Sequence, residues 1–414
     1  MTVPQSWPEP ARERIAEIGS VDVLIGLPTF GPTPGLAAVG TAVRAGIESA
    51  FAGRAVAAVH VDDFASDETV RALGESLGGV PLIRLPALAD GEAGPGGPPT
   101  RRDDAVRTVF TAAAALKAAA VVVLNAELTS TTPAWPGALG TPVLKDGYGL
   151  VLPVYQRACY EGTLTQALVV PLMRALFNRR FAHPIAEEFA CSGQLAERLL
   201  ARDVWGTELA RHGLEFWLPA AAADEGAQIG QAVVGPRVVE ASAPGESLGA
   251  TVGRVASVLF AIAEELDAHW LEVRGSKPVS TFGSLPVGSG GGSLDALRLL
   301  SGFRQGVRDL FPVWERILAP DTLGEVLVLG DLEPEQFRLS DRLWAHVVYD
   351  FLLAWRARVM YQGHLAQSLA PLYLGRTASL VLETRGVPAA VAAAAERLAQ
   401  SFESEKPYLV DRWQ

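Results

Sequence analysis

Apolar and polar positions fall into two textures along the chain. Through the first half, short apolar runs alternate with stretches of helical spacing: "VDVLIGLPTF", "GLAAVGTAVRAGIESAF", "AVAAVHVDD", "ASDETVRALGESLG" and "VPLIRLP" follow in that order. An apolar run without polar alternation fits a strand covered on both faces, whereas apolar residues recurring at helical spacing fit a helix with one buried stripe. Strand, helix, strand, helix, strand predicts an α/β fold with a parallel sheet and helices on both faces. A Gly/Pro-rich loop, "ADGEAGPGGPPTRRDD", then leads into a helix, "AVRTVFTAAAALKA", and a further strand, "AVVVLNAE".

From about Ser247 the pattern lengthens into amphipathic helices such as "LDALRLLSGFRQGVRDLFPVWERIL" and "RLWAHVVYDFLLAWRARVMYQG". The reading is an α/β domain over 1–246 and an all-helical domain over 247–414, with Trp270, Trp314 and Trp344 in the helical core. A chain of 414 residues suits two cores, since single cores stop growing near about 250–300 residues. "GSLPVGSGGGS", from Gly283 to Ser293, reads as a flexible connection. A phosphate-cradling glycine loop follows a strand and opens a helix, and this one lies between helical stretches.

Composition narrows the function classes. Acidic residues outnumber basic ones, 46 to 35, for a net charge of −11, which argues against nucleic-acid or anionic-membrane partners. Cys159 and Cys191 are too few for a disulfide framework and lack metal-ligand spacing, so they read as reduced thiols of a cytoplasmic protein. The N-terminal stretch "MTVPQSWPEPARERIAEIG" lacks the apolar core of a signal peptide, and no later apolar run is long enough for a membrane span.

In an open α/β sheet, ligands sit beyond the carboxyl ends of the strands, which here are Pro28-Thr29, Asp62-Asp63 and Asn125-Glu127. The last is the most informative. A buried strand ending in Asp-x-Asp points two carboxylates to one side, where a divalent cation can neutralise a departing diphosphate. Asn125-Ala126-Glu127 keeps that spacing and loses one charge. From the residues alone it reads either as an altered ion site or as a turn capped by Asn125.

Taken in order, the motifs resemble a bacterial branch of the family-2-like glycosyltransferases with a GT-A fold, akin to glucosyl-3-phosphoglycerate and mannosylglycerate synthases. "VDVLIGLPTFGP" matches the family's opening strand and sets Pro28, Thr29 and Phe30 on the nucleotide-facing turn, and "VDDFASDET" puts Asp62 at the base- or ribose-binding aspartate. "TRRDDAVRTVF" places Arg102 where the family has a lysine, and "NAELTSTTPAW" stands for its DSDLRSITPEW, a degenerate DxD. "YQRACYEGTLTQ" retains Arg157, Tyr160 and Thr163, which the resemblance marks as acceptor- or phosphate-binding. "HPIAEEFACS" and "HGLEFWL" set Glu188 and Glu215 at its acceptor-side acids, and "QAVVGPRVVE" puts Val239 where a metal-ligating histidine belongs.

The resemblance therefore implies a GT-A (Rossmann-like) domain followed by the helical one. It implies a glycosyltransferase that moves a hexose from a nucleoside diphosphate sugar to a small-molecule or saccharide acceptor. The nucleotide-sugar would lie against Pro28, Thr29, Phe30, Asp62, Arg102, Asn125 and Glu127, with Glu188 and Glu215 catalytic. Any Mg or Mn would be weakly held by Asn125 and Glu127, and a homo-oligomer is compatible with it. The alternative is an inactive pseudo-glycosyltransferase serving as a binding or scaffolding subunit, because both metal positions differ at once.

Overall fold

The computed structural model describes residues 3–31, 33, 35–62, 65–88, 101–238, 247–284 and 293–413. It divides into two compact units. The first comprises Met1–Tyr155, Ile185–Ser242 and Val279–Leu285, and the second comprises Gln156–Pro184, Ala243–Pro278 and Pro286–Gln414.

Ten strands occur among the described residues: β1 (Val23–Pro28), β2 (Val56–Val61), β3 (Leu82–Leu85), β4 (Ala120–Val123), β5 (Leu150–Gln156), β6 (Arg179–Arg180), β7 (Phe189–Ser192), β8 (Ile229–Pro236), β9 (Lys277–Pro278) and β10 (Ser280–Phe282). The first unit is built on an eight-stranded sheet of order β10-β8-β5-β7-β4-β1-β2-β3. β1 lies between β2 and β4, parallel to both, with Val23 opposite Val56 and Ala120. Every residue of β1 is buried, as its unbroken apolar run requires. Gly26 in its middle lets the helix Arg102–Ala115 approach closely, because a Cβ there would stand 2.7 Å from Val109 Cγ1.

The sheet is mixed and not wholly parallel. β7 runs antiparallel to its neighbours β4 and β5, so that Cys191 faces both Val121 and Leu150. An apolar run records burial on both faces and carries no sign of direction, which is why the alternating pattern suggested a parallel sheet throughout.

Helix starts follow local capping chemistry. Ser66, Ser192 and Thr207 each accept a hydrogen bond from a backbone N–H of the first turn that follows, opening Asp67–Leu77, Gly193–Leu200 and Glu208–Asp224. The second unit contains the long helices Leu248–Glu265, Ala296–Trp314, Asp341–Arg356, Ala370–Thr384 and Pro388–Val410. Trp270, Trp314 and Trp344 are fully buried in it. The region after residue 247 is helical except for β9, paired with β6 in a two-stranded ribbon, and β10, which joins β8 at the sheet edge of the first unit. Strands this short leave little periodic signal. Most of the glycine-rich connection, 285–292, lies outside the described residues.

Candidate functional site

The strand-end residues of the first unit meet in a connected polar set. Pro28 closes β1, and its carbonyl accepts from Ala126 N at 3.1 Å, tying the first strand end to the fourth. Thr29 Oγ1 donates to Asp62 Oδ1 at 2.9 Å and lies 3.3 Å from His60 Nε2. One hydroxyl proton serves one bond, so Thr29 accepts from the His60 Nε2–H. Nδ1 is then the bare nitrogen, and it is buried without a partner. Burial lowers the His60 pKa to about 4, opposed by Asp62 and reinforced by Arg84. Asp62 also accepts from Ala65 N and lies 3.8 Å from Arg84. Asp63 lies outside the described residues.

The Asn-x-Glu segment is a turn. β4 ends at Val123, and Asn125 Oδ1 accepts from the Glu127 backbone N–H at 2.9 Å, while the Asn125 carbonyl accepts from Leu128 N at 3.2 Å. The side chain thus mimics a backbone turn, as Asn does after many strands. Glu127 Oε1 reaches back to the Phe30 N–H at 2.7 Å, joining this turn to the one after β1. The two oxygens that keep DxD spacing thus accept from separate backbone N–H groups. Among the described residues, no group of three or more His, Cys, Asp or Glu is arranged to hold a metal ion. Val239 lies outside the described residues.

Beside this turn stands a buried charged cluster. Glu188 is fully buried just before β7. Its Oε2 accepts from the Tyr155 hydroxyl and from Arg237 Nε at 3.3 Å, and its Oε1 is buried with no partner. Arg237 also pairs with Glu187 at 3.3 Å and has its guanidinium 6.0 Å from the Tyr155 ring centroid. Burial raises the Glu188 pKa; Arg237 opposes the shift and Glu187 adds to it. Burial works against the Arg237 cation, but Glu188 and Glu187 outweigh it and hold its pKa above the ordinary value. Burial, with Glu188 next, pushes the Tyr155 phenol well up. The cluster is fastened to the Asn-x-Glu turn, since Thr129 N donates to Val238 O at 3.2 Å and Val238 N to Ser130 Oγ at 2.9 Å.

Arg102 opens the helix Arg102–Ala115, and its Nη2 donates to the Glu187 carbonyl. Its guanidinium lies 5.9 Å from the Phe30 ring centroid, and its Nε is buried without a partner. Glu215 is half-buried in a helix broken at Gly213, and its carbonyl accepts from Ala186 N at 2.7 Å. The first unit thus brings together Pro28, Thr29, Phe30, Asp62, Arg102, Asn125, Glu127 and Glu188, with the Glu215 backbone beside them.

Arg157, Tyr160 and Thr163 belong to the second unit. Tyr160 Oη accepts from Gly386 N at 2.7 Å and lies 2.9 Å from Thr384 Oγ1, Thr163 Oγ1 lies 2.6 Å from Tyr373 Oη, and Arg157 Nη2 lies 3.4 Å from His183 Nε2. The sequence reading passed over Arg237, Tyr155, Glu187 and His60 as site residues. A signal for Arg237 existed, because it is the sole lysine or arginine between Arg211 and Arg254. His60 has no such mark, being one polar residue inside an apolar strand.

No protein-family model matches the chain, and no curated protein matches it in sequence. Solved structures are similar in fold. Glucosyl-3-phosphoglycerate synthase from Mycobacterium tuberculosis, in complex with phosphoglyceric acid, is 19% identical over 63% of this chain and 85% of its own, with a TM-score of 0.40. The same synthase with Mn2+, UDP-glucose and phosphoglyceric acid is 20% identical over 62% of this chain and 83% of its own, again at 0.40. A mannosyltransferase from Pyrobaculum calidifontis in complex with GDP-Man and Mn2+ is 14% identical over 92% of this chain and 87% of its own, with a TM-score of 0.37.

Proposed function

We propose that the chain is a glycosyltransferase that takes a hexose from a nucleoside diphosphate sugar to an acceptor hydroxyl, with little or no dependence on a divalent cation. The observation that carries this reading is the meeting of Thr29, Asp62, the Asn125–Glu127 turn, Arg102 and the Glu188–Arg237 pair beyond the carboxyl ends of β1, β2 and β4, where an open α/β fold receives ligands. Asp62, with both oxygens already fixed, suits the nucleoside end. Arg102 and Arg237 are the cations on hand for the diphosphate, and guanidinium forks match phosphate oxygens without a metal. Glu188, its pKa raised by burial, suits the base that takes the acceptor's proton. The acceptor oxygen bonds to the anomeric carbon as the bond to the diphosphate breaks. The proton passes to Glu188, and the electron pair of the broken bond leaves with the diphosphate, whose negative charge the guanidiniums offset. Glu215 orients the acceptor.

A second reading, a binding subunit without turnover, is favoured by one observation: Asn125 Oδ1 and Glu127 Oε1 are both already bonded to backbone N–H groups. One experiment separates the two. Nucleoside diphosphates and their sugars are screened by thermal shift, each with EDTA or with manganese, and turnover is followed for every binder. A ligand at about 100 times its Kd adds about 2.7 kcal/mol of stability. The proposal expects a nucleotide-dependent shift that survives EDTA and a slow release of diphosphate. Glu188→Gln should abolish turnover with nucleotide affinity near wild type, and Arg102→Ala should weaken binding far more than chelation does. Binding without turnover for any acceptor selects the second reading, and no binding at millimolar nucleotide defeats both.

A further inference from the structure

The second unit carries a groove of about 540 Å3 that the proposed reaction does not use. Its floor is apolar, with Ile317, Leu318, Leu353 and Ala354, and its rim carries Arg316, Arg356 and Arg412 beside Trp413. That volume falls in the range of small-molecule sites. The groove lining has three arginines and one acid, Asp350.

Each guanidinium is held in place and still has donors to give. Arg356 lies flat against Trp413, its Cζ 4.2 Å from the ring centroid, and Arg412 lies 3.9 Å from that of Tyr408. Arg316 spends Nη2 on the Val359 carbonyl at 2.7 Å, and Arg412 spends Nη1 on the Tyr408 carbonyl at 3.1 Å. Arg356 Nη1 is buried without a hydrogen bond, at 3.7 Å from Asp267. Asp267 itself accepts from Trp413 Nε1 at 3.1 Å. Asp350, the acid in the groove wall, has both oxygens occupied, Oδ1 by the Tyr408 hydroxyl at 2.5 Å and Oδ2 by Ala319 N at 2.9 Å. The acids are thus bonded inward, while the cations keep unspent N–H groups. Guanidiniums stacked on aromatic rings lose little freedom on binding and present forked donors suited to tetrahedral oxyanions.

We propose that this groove binds a small phosphate monoester with an apolar body, its phosphate on Arg316, Arg356 and Arg412 and its body on the Ile317–Leu353 floor. A dianion matches more of the available donors than a carboxylate does, and the floor rewards burial of an alkyl or aryl group.

The test uses the whole chain, calorimetry and four probes: hexyl phosphate, hexanoate, inorganic phosphate and hexanol. It involves no nucleotide and no residue of the first unit, so its failure leaves the glycosyltransferase reading untouched. Hexyl phosphate should bind best, and the exposed-site double variant Arg316→Ala/Arg412→Ala should weaken it by about tenfold or more while its unfolding midpoint stays near wild type. Affinity should also fall as salt rises. A variant that fails to fold is replaced by Arg412→Gln alone, for which a clear loss is still expected. The proposal is overturned if hexyl phosphate does not bind at about 5 mM, or if the variants bind it as the wild type does. It is equally overturned if hexanoate, inorganic phosphate or hexanol binds as tightly.

Discussion

At the scale of single residues, two buried titratable groups of the site, His60 and Glu188, pull stability in opposite directions with pH. His60 has its folded pKa lowered from 6.5 to about 4, so the folded state binds fewer protons than the unfolded state between those values. Its contribution is present above about pH 6.5 and is lost as pH falls through about 4, a loss of about 3 kcal/mol. Urea unfolding of wild type and His60→Gln at pH 7 and near about pH 4.5 should show the variant losing less on acidification. Glu188 is the reverse case. Its folded pKa is raised above 4.5, so its contribution is greatest at low pH and is lost as pH rises through the folded value. Glu188→Gln should therefore gain on wild type from acid towards neutral pH, and a flat difference across that range would contradict the assignment. Arg237→Ala removes the cation beside Glu188 and should cost roughly 3 kcal/mol, as breaking a buried pair does, with Arg237→Lys recovering part of it. Asp62, Arg102 and Glu188 were legible as candidates because they sit in quotable motifs. Arg237 lies within "QAVVGPRVVE", but its pairing with Glu188, 49 positions away, leaves no mark in that segment.

At the scale of elements, the site depends on how β1, β4 and the helix Arg102–Ala115 are held. That helix packs tightly over Gly26, so Gly26→Ala forces Val109 away. Overpacking of this kind costs about 1–3 kcal/mol. Because Arg102 begins the same helix, the variant should also weaken ligand binding, which calorimetry on the folded fraction would register. In the turn after β4, Asn125→Ala removes the acceptor of the Glu127 N–H and should cost about 1 kcal/mol. Asn125→Asp should keep the turn without creating a manganese requirement, because the side-chain oxygen is already directed at that N–H. A manganese-dependent rise in midpoint for Asn125→Asp alone would mean that the turn opens to form an ion site. β1 to β4 and their order along the chain were legible from apolar runs. The reversal of β7 and the joining of β10 to the sheet edge were not, since pairing direction is settled by partners distant in sequence.

For the whole molecule, net charge governs non-specific partners. With −11 at neutral pH and pI near 5.2, a labelled DNA duplex should show no anisotropy change with micromolar protein at physiological salt. An anisotropy change that Arg316→Ala/Arg412→Ala abolishes would show that the arginine-lined groove acts on polyanions and not on a small phosphate. No helix among the described residues is long and apolar enough to cross a membrane.

The sequence by itself determined the first four strands, the long helices, where the texture changes, and which polar residues stand at strand ends, because periodicity and capping are local properties of the chain. It left the Asn125-Ala126-Glu127 segment with two meanings, an ion site or a capped turn. The tertiary structure decided the geometry there: Glu127 bonds to Phe30, almost a hundred positions away, and Asn125 folds onto its own turn. It also put Arg237 against Glu188 and Tyr155, and left one oxygen of Glu188 buried without a partner. Which charges face one another, and how far water is excluded from them, depends on packing between segments remote in sequence, and spacing along one segment does not encode it.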